Sequence, residues 1–372
     1  MIFYSCIALI TILLGLLVRR NAEMGQKTNT ICCFFAQKQK TVDGIALTGI
    51  FLILFLVAAF RDYVGADYQV YVKNAHDYMH GAYVVTEPGY NFLVKAIYIL
   101  FDSEPYYLIF GLFAFGTPFL FLWSFYHDSD WFFLSFLMFM LTGMYFISFS
   151  SVRYYFALGG ALIAMHFLLK KKYLLFIVTT LFFALFHKSI LLILPVYFLA
   201  TLPWKRWMLV VLALAASTGL FFGEFYYSLL LKLYPSYQKA YQIQLETGTS
   251  IISVLRCVAV IGLCLIFYRQ AIRDDAKNRF YLMLNYFALL LYLFGGFIPY
   301  LSRVGYYMLV SQLFLVPSVL CKIANGKWQK ILSGLVIIAC VIYFAMFLLK
   351  ADSSGIELLP YRSFLMPELE LY

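Results

Sequence analysis

Residues 170–206 read KKKYLLFIVTTLFFALFHKSILLILPVYFLATLPWKR. Lysine and arginine crowd both ends, Lys170–Lys172 and Lys205-Arg206. In a membrane protein, short basic loops collect on the cytoplasmic side. The chain between them must therefore leave that side and return. The apolar arms, 173–186 and 190–202, hold only 14 and 13 residues, about 20 Å each as helix. A bilayer core is about 30 Å thick. The turn His187-Lys188-Ser189 is thus predicted to sit recessed in a cavity, because a helix break at membrane depth needs protein or water around its backbone.

The rest of the chain reads the same way. Of 372 residues, 64% are hydrophobic and 12% charged, and apolar runs near the length of a membrane helix recur throughout. The pattern predicts an all-α, polytopic integral membrane protein of a single domain, 1–372, with about 12 transmembrane helices. The spans fall at 2–18, 44–60, 105–126, 131–150, 152–169, 173–186, 190–202, 207–222, 251–268, 280–297, 304–321 and 331–349, with both termini outside. The first is a retained helix, since it lacks a basic leader and a small-residue cleavage site. A net charge of +10 suggests nucleic acid, but 17 of the 28 basic residues lie in the loops 19–43, 170–172, 203–206, 269–279 and 322–330. That distribution is a topology signal and excludes nucleic acid as a partner. None of the seven cysteines lies in an external loop, so no disulfide framework is implied.

Two connections on the outer side are long. Residues 61–104 form an external loop rich in tyrosine and carboxylates, and 223–250 form a second. Within the first, 88–101 is apolar but short and carries Lys95. If it crossed, every later loop would invert, so it reads as interfacial or re-entrant. A long connection without regular structure is usually functional.

Ionisable residues that border or interrupt apolar spans are functional candidates by default. Arg153 begins an apolar helix, His187 sits in the short turn, and Arg303 follows Pro299-Tyr300-Leu301-Ser302. Each has a plainer account: snorkelling for Arg153, a histidine bonded to backbone at a helix break for His187, an ordinary loop residue for Arg303. Arg61 closes the second span, where a local pair with Asp62 or Asp67 would explain it. Arginine suits phosphate because its planar fork donates in pairs and stays protonated. His187 titrates near neutrality and suits a general base. Asp67 and Glu87 are rival bases, or else neutralise an arginine or bind sugar hydroxyls. Tyr63, Tyr68, Tyr71, Tyr90, Tyr306 and Tyr307 are placed to stack on sugar rings; an interfacial aromatic belt is the plainer account. Asp128-Ser129-Asp130 reads as a polar turn or helix cap, and Gly159-Gly160 as a helix-packing site. His76 and His80 lack the glutamate of a zinc-protease motif.

In this order the residues resemble the EpsG family, exopolysaccharide polymerases related to Wzy-type O-antigen polymerases. The likeness rests on Phe60-Arg61-Asp62-Tyr63-Val64-Gly65-Ala66-Asp67-Tyr68, then Tyr71 and Glu87-Pro88-Gly89-Tyr90. It continues through Arg153-Tyr154-Tyr155-Phe156-Ala157-Leu158, Phe186-His187-Lys188-Ser189 and Pro195, and ends at Ser302-Arg303 with Tyr306-Tyr307. It spans about residues 44–320. Ala66 stands where the family commonly has a small polar residue.

The resemblance implies a metal-independent glycosyltransferase without a cofactor, in the bacterial plasma membrane, with its site facing outside. It would transfer a glycan from undecaprenyl pyrophosphate to the acceptor hydroxyl of another lipid-linked repeat unit, lengthening a surface polysaccharide such as a capsule or O-antigen. Its partners would be those lipid-linked oligosaccharides, the bilayer and a chain-length regulator. Arg61, Arg153 and Arg303 would bind pyrophosphate, with Lys188 and Ser189 beside them. His187 would take the proton; Asp67, Glu87, Tyr68, Tyr90 and Tyr307 would orient sugar. Two other classes compete: a membrane acyltransferase decorating surface glycans, and a lipid-linked oligosaccharide flippase or transporter. Decorating acyltransferases carry their histidine early, and transporters favour repeated halves with midplane sites. No internal repeat is evident here.

Overall fold

A computed structural model describes residues 1–19, 30–101, 105–233, 251–294, 301–353 and 355–371. At 30–37, 206, 220, 230, 301–302 and 367–370 it describes backbone alone. Residues 20–29 of the loop 19–43, residues 102–104, the second external loop beyond 233, Pro299-Tyr300 and the side chains of Cys32, Cys33 and Ser302 therefore lie outside the described residues.

In chain order the helices are α1 Ile2–Gly15, α2 Thr30–Ala59, α3 Tyr68–Met79, α4 Pro88–Phe101, α5 Tyr106–Asp128, α6 Phe132–Leu141, α7 Met144–Ile147, α8 Val152–Leu169 and α9 Tyr173–Ala184. A 3₁₀ turn, Lys188–Leu192, leads to α10 Ile193–Ala200, α11 Arg206–Phe221, α12 Gly223–Leu233, α13 Ile251–Ile266, α14 Ala276–Phe294, α15 Leu301–Leu309, α16 Gln312–Cys321 and α17 Gly326–Leu349. The chain separates into two compact units, Met1–Leu191 with Lys327–Tyr372, and Leu192–Gly326.

The expectation of a helical membrane protein holds, and the count of about twelve spans does not. Among the described residues five helices are long and apolar enough to cross a membrane: Lys38–Ala59, Tyr106–Asp128, Val152–Leu169, Arg303–Cys321 and Gly326–Leu349. A pair bent by 82°, Trp207–Gly219 with Gly223–Leu229, makes a sixth if counted as one. The discrepancy has a physical cause. Hydropathy follows unbroken apolar sequence, whereas these helices break inside such runs. The expected span 131–150 divides at Thr142-Gly143 into α6 and α7, and 251–268 becomes a helix of 16 residues followed by a π turn.

The break predicted around His187 is present. α9 ends at Ala184, His187 N–H reaches back to the Phe183 carbonyl, and the chain resumes as the 3₁₀ turn. Tyr173–Ala184 and Lys188–Ala200 both fall short of spanning length. Pro88–Phe101 is a helix of 14 residues, about 21 Å, again too short to span. The segment expected to lack regular structure holds α3 and α4. Helical spacing explains α3: Tyr68, Tyr71 and Ala75 share one buried face.

The first unit is built on α2, α5, α8 and α9. Lipid is as apolar as leucine, so close packing drives helices together in a bilayer. A Cβ at Gly160 would lie 2.2 Å from the Phe183 ring, one at Gly159 2.9 Å from Leu120 Cβ, and one at Gly116 2.5 Å from the Phe156 ring. Gly159-Gly160 is therefore a packing site.

A hairpin at the C-terminus departs from a purely helical fold. Strands β1 Tyr361–Ser363 and β2 Met366–Leu371 pair antiparallel. This tail joins the residues after α2: Asp62 N–H donates to the Arg362 carbonyl at 2.9 Å, Phe364 N–H to Phe60 at 3.2 Å and Gly65 N–H to Glu357 at 2.8 Å. Gly65 has φ +105°, and a Cβ there would lie 2.6 Å from the Phe149 carbonyl oxygen. Tyr4 donates to Leu358 at 2.6 Å and Tyr361 to Val57 at 3.0 Å, pinning the tail to α1 and α2.

Candidate active site

Arg153 projects from the first turn of α8, two residues after the cap Ser151. Its guanidinium forms an ion pair with Glu87, and both side chains are about 15% exposed. The faces of Tyr71 and Tyr90 flank it, with centroids 5.2 and 4.9 Å from Arg153 Cζ. Burial raises both phenols above their ordinary range, against the opposing pull of Arg153. They therefore stay neutral and offer the cation their π faces. Arg153 Nε is buried without a hydrogen-bond partner among the described residues. The pair with Glu87 leaves this guanidinium with donating capacity to spare.

Glu87 also fixes the His187 break. Its Oε1 accepts a long hydrogen bond, 3.4 Å, from Lys188 N–H. Two residues on, Gly89 N–H donates to the Leu185 carbonyl at 2.8 Å. A Cβ at Gly89 would lie 2.8 Å from that same oxygen, so glycine is what permits the contact. Phe186 inserts among Phe113, Phe156 and Phe182. The half-buried His187 ring meets Tyr154 edge-on at 5.4 Å. Its Nδ1 lies 2.8 Å from Ser189 Oγ. A hydroxyl gives or takes a hydrogen bond, so Ser189 can hold the ring in either tautomer. The Ser189 N–H also reaches Nδ1, at 3.4 Å.

Arg153, Glu87, Tyr90, His187, Lys188 and Ser189 are thus brought together. Asp67 joins through Ser151, whose hydroxyl donates to Asp67 Oδ2 at 3.0 Å. The cluster combines a cation held by an exchangeable carboxylate, an imidazole oriented by a hydroxyl, and the exposed Lys188.

Arg61 departs from the phosphate-binding role expected of it. It is 2% exposed, and its guanidinium donates to three backbone carbonyls: Val64 at 3.3 Å, Phe149 at 3.2 Å and Ala58. Phe110 and Phe149 sandwich it at 5.1 and 5.0 Å. Burial draws its pKa down to about 10, so the side chain stays charged at neutral pH. Its donors are spent inside the protein. Tyr68 and Tyr90 likewise lose the faces expected for sugar. Tyr68 stacks on Phe110 at 4.3 Å and donates to Asp62 at 3.3 Å, while Tyr90 is 1% exposed and donates to the Tyr71 carbonyl at 3.2 Å. The polar turn at Asp128 holds a pair the sequence did not suggest, Asp128 Oδ1 to His166 Nδ1 at 2.6 Å. Ser129 Oγ meets Trp131 N–H and Ser135 Oγ.

Arg303 and Tyr307 belong to the second unit. Arg303 is exposed in the first turn of α15. Tyr307 is buried, with its carbonyl accepting from the Tyr197 hydroxyl. This unit also contains a candidate the sequence reading overlooked. Arg256 lies inside the apolar helix α13 and donates through Nε to Gln312 Oε1 at 2.5 Å. Gln312 and Asn285 are fully buried. The signal was available: a lone arginine in an apolar run, the rule that singles out Arg153.

A family model, that of the EpsG family, matches residues 45–363, well over half of the chain. The match reaches past the terminal arginine region to the strand β1. No protein of curated function and no solved structure matches.

Proposed function

The chain belongs to the EpsG family, and on that premise we propose that it polymerises a surface polysaccharide at the outer face of a bacterial plasma membrane. The reading is carried by one observation: Arg153, paired with Glu87, stands beside the His187–Ser189 break in a membrane protein. A lipid-borne pyrophosphate needs a cation that can exchange one anion for another, and glycosyl transfer to a hydroxyl needs a proton acceptor.

In this mechanism the acceptor hydroxyl of one lipid-linked repeat unit attacks the anomeric carbon of a second glycan. The bond from that carbon to the pyrophosphate oxygen breaks as the new glycosidic bond forms. The hydroxyl proton passes to the His187 imidazole. Undecaprenyl pyrophosphate departs with the electron pair, and Arg153 stabilises its charge. The exposed Lys188 adds to the positive field, Ser189 orients His187, and Asp67 aligns sugar hydroxyls. Glu87 holds Arg153 in readiness and yields it to phosphate. A chain-length regulator would act as the partner that sets when transfer stops.

The outward orientation rests on loop charge: Lys170–Lys172 and Lys205-Arg206 lie at the far ends of the two arms from His187. The test is complementation of a deletion strain. His187→Ala and Arg153→Ala, at normal protein levels, should leave single repeat units on the lipid carrier and no long chains. Long polymer persisting with both variants would sink the assignment.

A further inference from the structure

Arg256 is a cation in the second turn of an apolar helix, and among the described residues a hydrogen bond holds it through Nε. The order begins at a backbone group. The Cys257 carbonyl accepts from Asn285 Nδ2 at 3.1 Å, which fixes which end of that amide is oxygen. Asn285 Oδ1 then accepts from Gln312 Nε2 at 2.5 Å. Gln312 must in turn present its oxygen to Arg256, and Oε1 meets Nε at 2.5 Å. Three helices, α13, α14 and α16, thus supply a relay whose one outcome is to orient the guanidinium.

That outcome leaves a charge unanswered. Arg256 Nη2 is buried and has no hydrogen-bond partner among the described residues. Gln312 is neutral, and no ion pair of Arg256 occurs among the described residues. An arginine whose charge is unanswered is costly in apolar surroundings unless a cavity, a partner or a ligand meets it. Snorkelling does not account for it, because Nε is tied to a side chain with no exposure at all. A guanidinium fixed through Nε with an Nη group unspent is the arrangement that takes a phosphate oxygen.

Tyr292 of α14 lies beside this group, within hydrogen-bonding reach of Ser253 and close to Arg256 and Tyr306. It packs so tightly on α15 that a Cβ at Gly305 would lie 2.7 Å from its oxygen.

We propose that Arg256 is a phosphate-binding residue of the unit Leu192–Gly326, oriented by Gln312 and Asn285 to engage a membrane-borne phosphate ester. On the polymerase reading, that ester is a polyprenyl pyrophosphate; the same chemistry would fit an anionic phospholipid headgroup.

The experiment uses the full chain in phosphatidylcholine nanodiscs, with a sugar-free polyprenyl pyrophosphate as the probe. Wild type should bind it, and Arg256→Met should bind about 10- to 100-fold more weakly. Gln312→Glu supplies an internal carboxylate of nearly the same shape: it gives up the bond to Asn285 Oδ1 but pairs the Arg256 charge, so folded protein should bind the probe more weakly to a similar extent. That variant answers the question even if Arg256→Met fails to fold, because a purely structural Arg256 predicts unchanged binding. Wild-type affinity in Gln312→Glu or in folded Arg256→Met would overturn the proposal and leave the polymerase reading standing. Wild type that ignores the pyrophosphate, yet is stabilised through Arg256 by phosphatidylglycerol, would overturn the pyrophosphate assignment in favour of a bilayer lipid. Wild type that binds neither overturns the proposal outright. The complementation experiment tests the polymerase reading separately.

Discussion

Arg61 and Arg153 stand in the same unit, and aromatic rings flank both. They differ in what receives their hydrogen bonds. Arg61 gives its donors to the carbonyls of Ala58, Val64 and Phe149. Arg153 gives one nitrogen to a carboxylate and keeps Nε without a hydrogen-bond partner. A carbonyl-held arginine is scaffold, since no anion can displace backbone from three sides at once. A carboxylate-paired arginine is poised for exchange, since a phosphate can take the place of the carboxylate in kind.

The largest expected effect tests this division directly. Arg61→Met strands three buried carbonyls, a loss on the order of 4 kcal/mol or more. It also frees the junction where the C-terminal tail meets α2. Protein accumulation in the membrane should collapse, and Arg61→Lys should not restore it, because one ammonium cannot reach three diverging carbonyls. Arg153→Met, which strands only Glu87, should accumulate better than Arg61→Met and reduce polymerisation per folded protein by about 100-fold or more. Normal levels of Arg61→Met, measured by fluorescence-detected gel filtration, would erase the distinction.

Gly89→Ala should fall next. The added methyl meets Leu185 backbone, which cannot rotate away as a side chain would. Overpacking of this kind costs about 1–3 kcal/mol. The shift moves Glu87 relative to both Arg153 and Lys188, so activity should fall about tenfold or more in protein that still folds. Full activity in Gly89→Ala would mean that the coupling between α4 and the His187 break is incidental.

What the sequence made legible follows the same division. Misplaced charge and the shortness of two apolar arms were enough to single out Arg153 and the break at His187, while Glu87 entered only as a rival base of the external loop. The partners of Arg61 were not legible, because backbone carbonyls at Ala58, Val64 and Phe149 carry no side-chain signature. Nor was the pairing of Asp62 with Arg362, since nothing local to either segment specifies a partner so distant in the chain. The count of spans failed because apolar composition is blind to a helix break such as Thr142-Gly143. Arg256 was readable by the rule applied to Arg153, and its relay through Gln312 and Asn285 was not, since it joins three helices.

The smallest effect concerns a third kind of pair. Asp275 and Lys322 join across a loop of the second unit, with side chains 26% and 32% exposed. Burial works to raise the Asp275 pKa, but the Lys322 ammonium, the Asn278 N–H and Lys277 outweigh it and hold the carboxyl below its ordinary value. A depressed carboxyl contributes stability above its unfolded pKa of about 4, and loses that contribution as pH falls through the lowered folded value. Solvent screening keeps the contribution under about 1 kcal/mol. Asp275→Asn should therefore lower the thermal midpoint slightly at about pH 7 and lose its difference from wild type in strong acid. The carbonyl contacts of Arg61 contain no acid to protonate, so the deficit of Arg61→Met should persist over the same range. A deficit in Asp275→Asn that is equally independent of pH would place that pair with Arg61, as a contact held by shape, and would blunt the contrast between exchangeable and fixed cations.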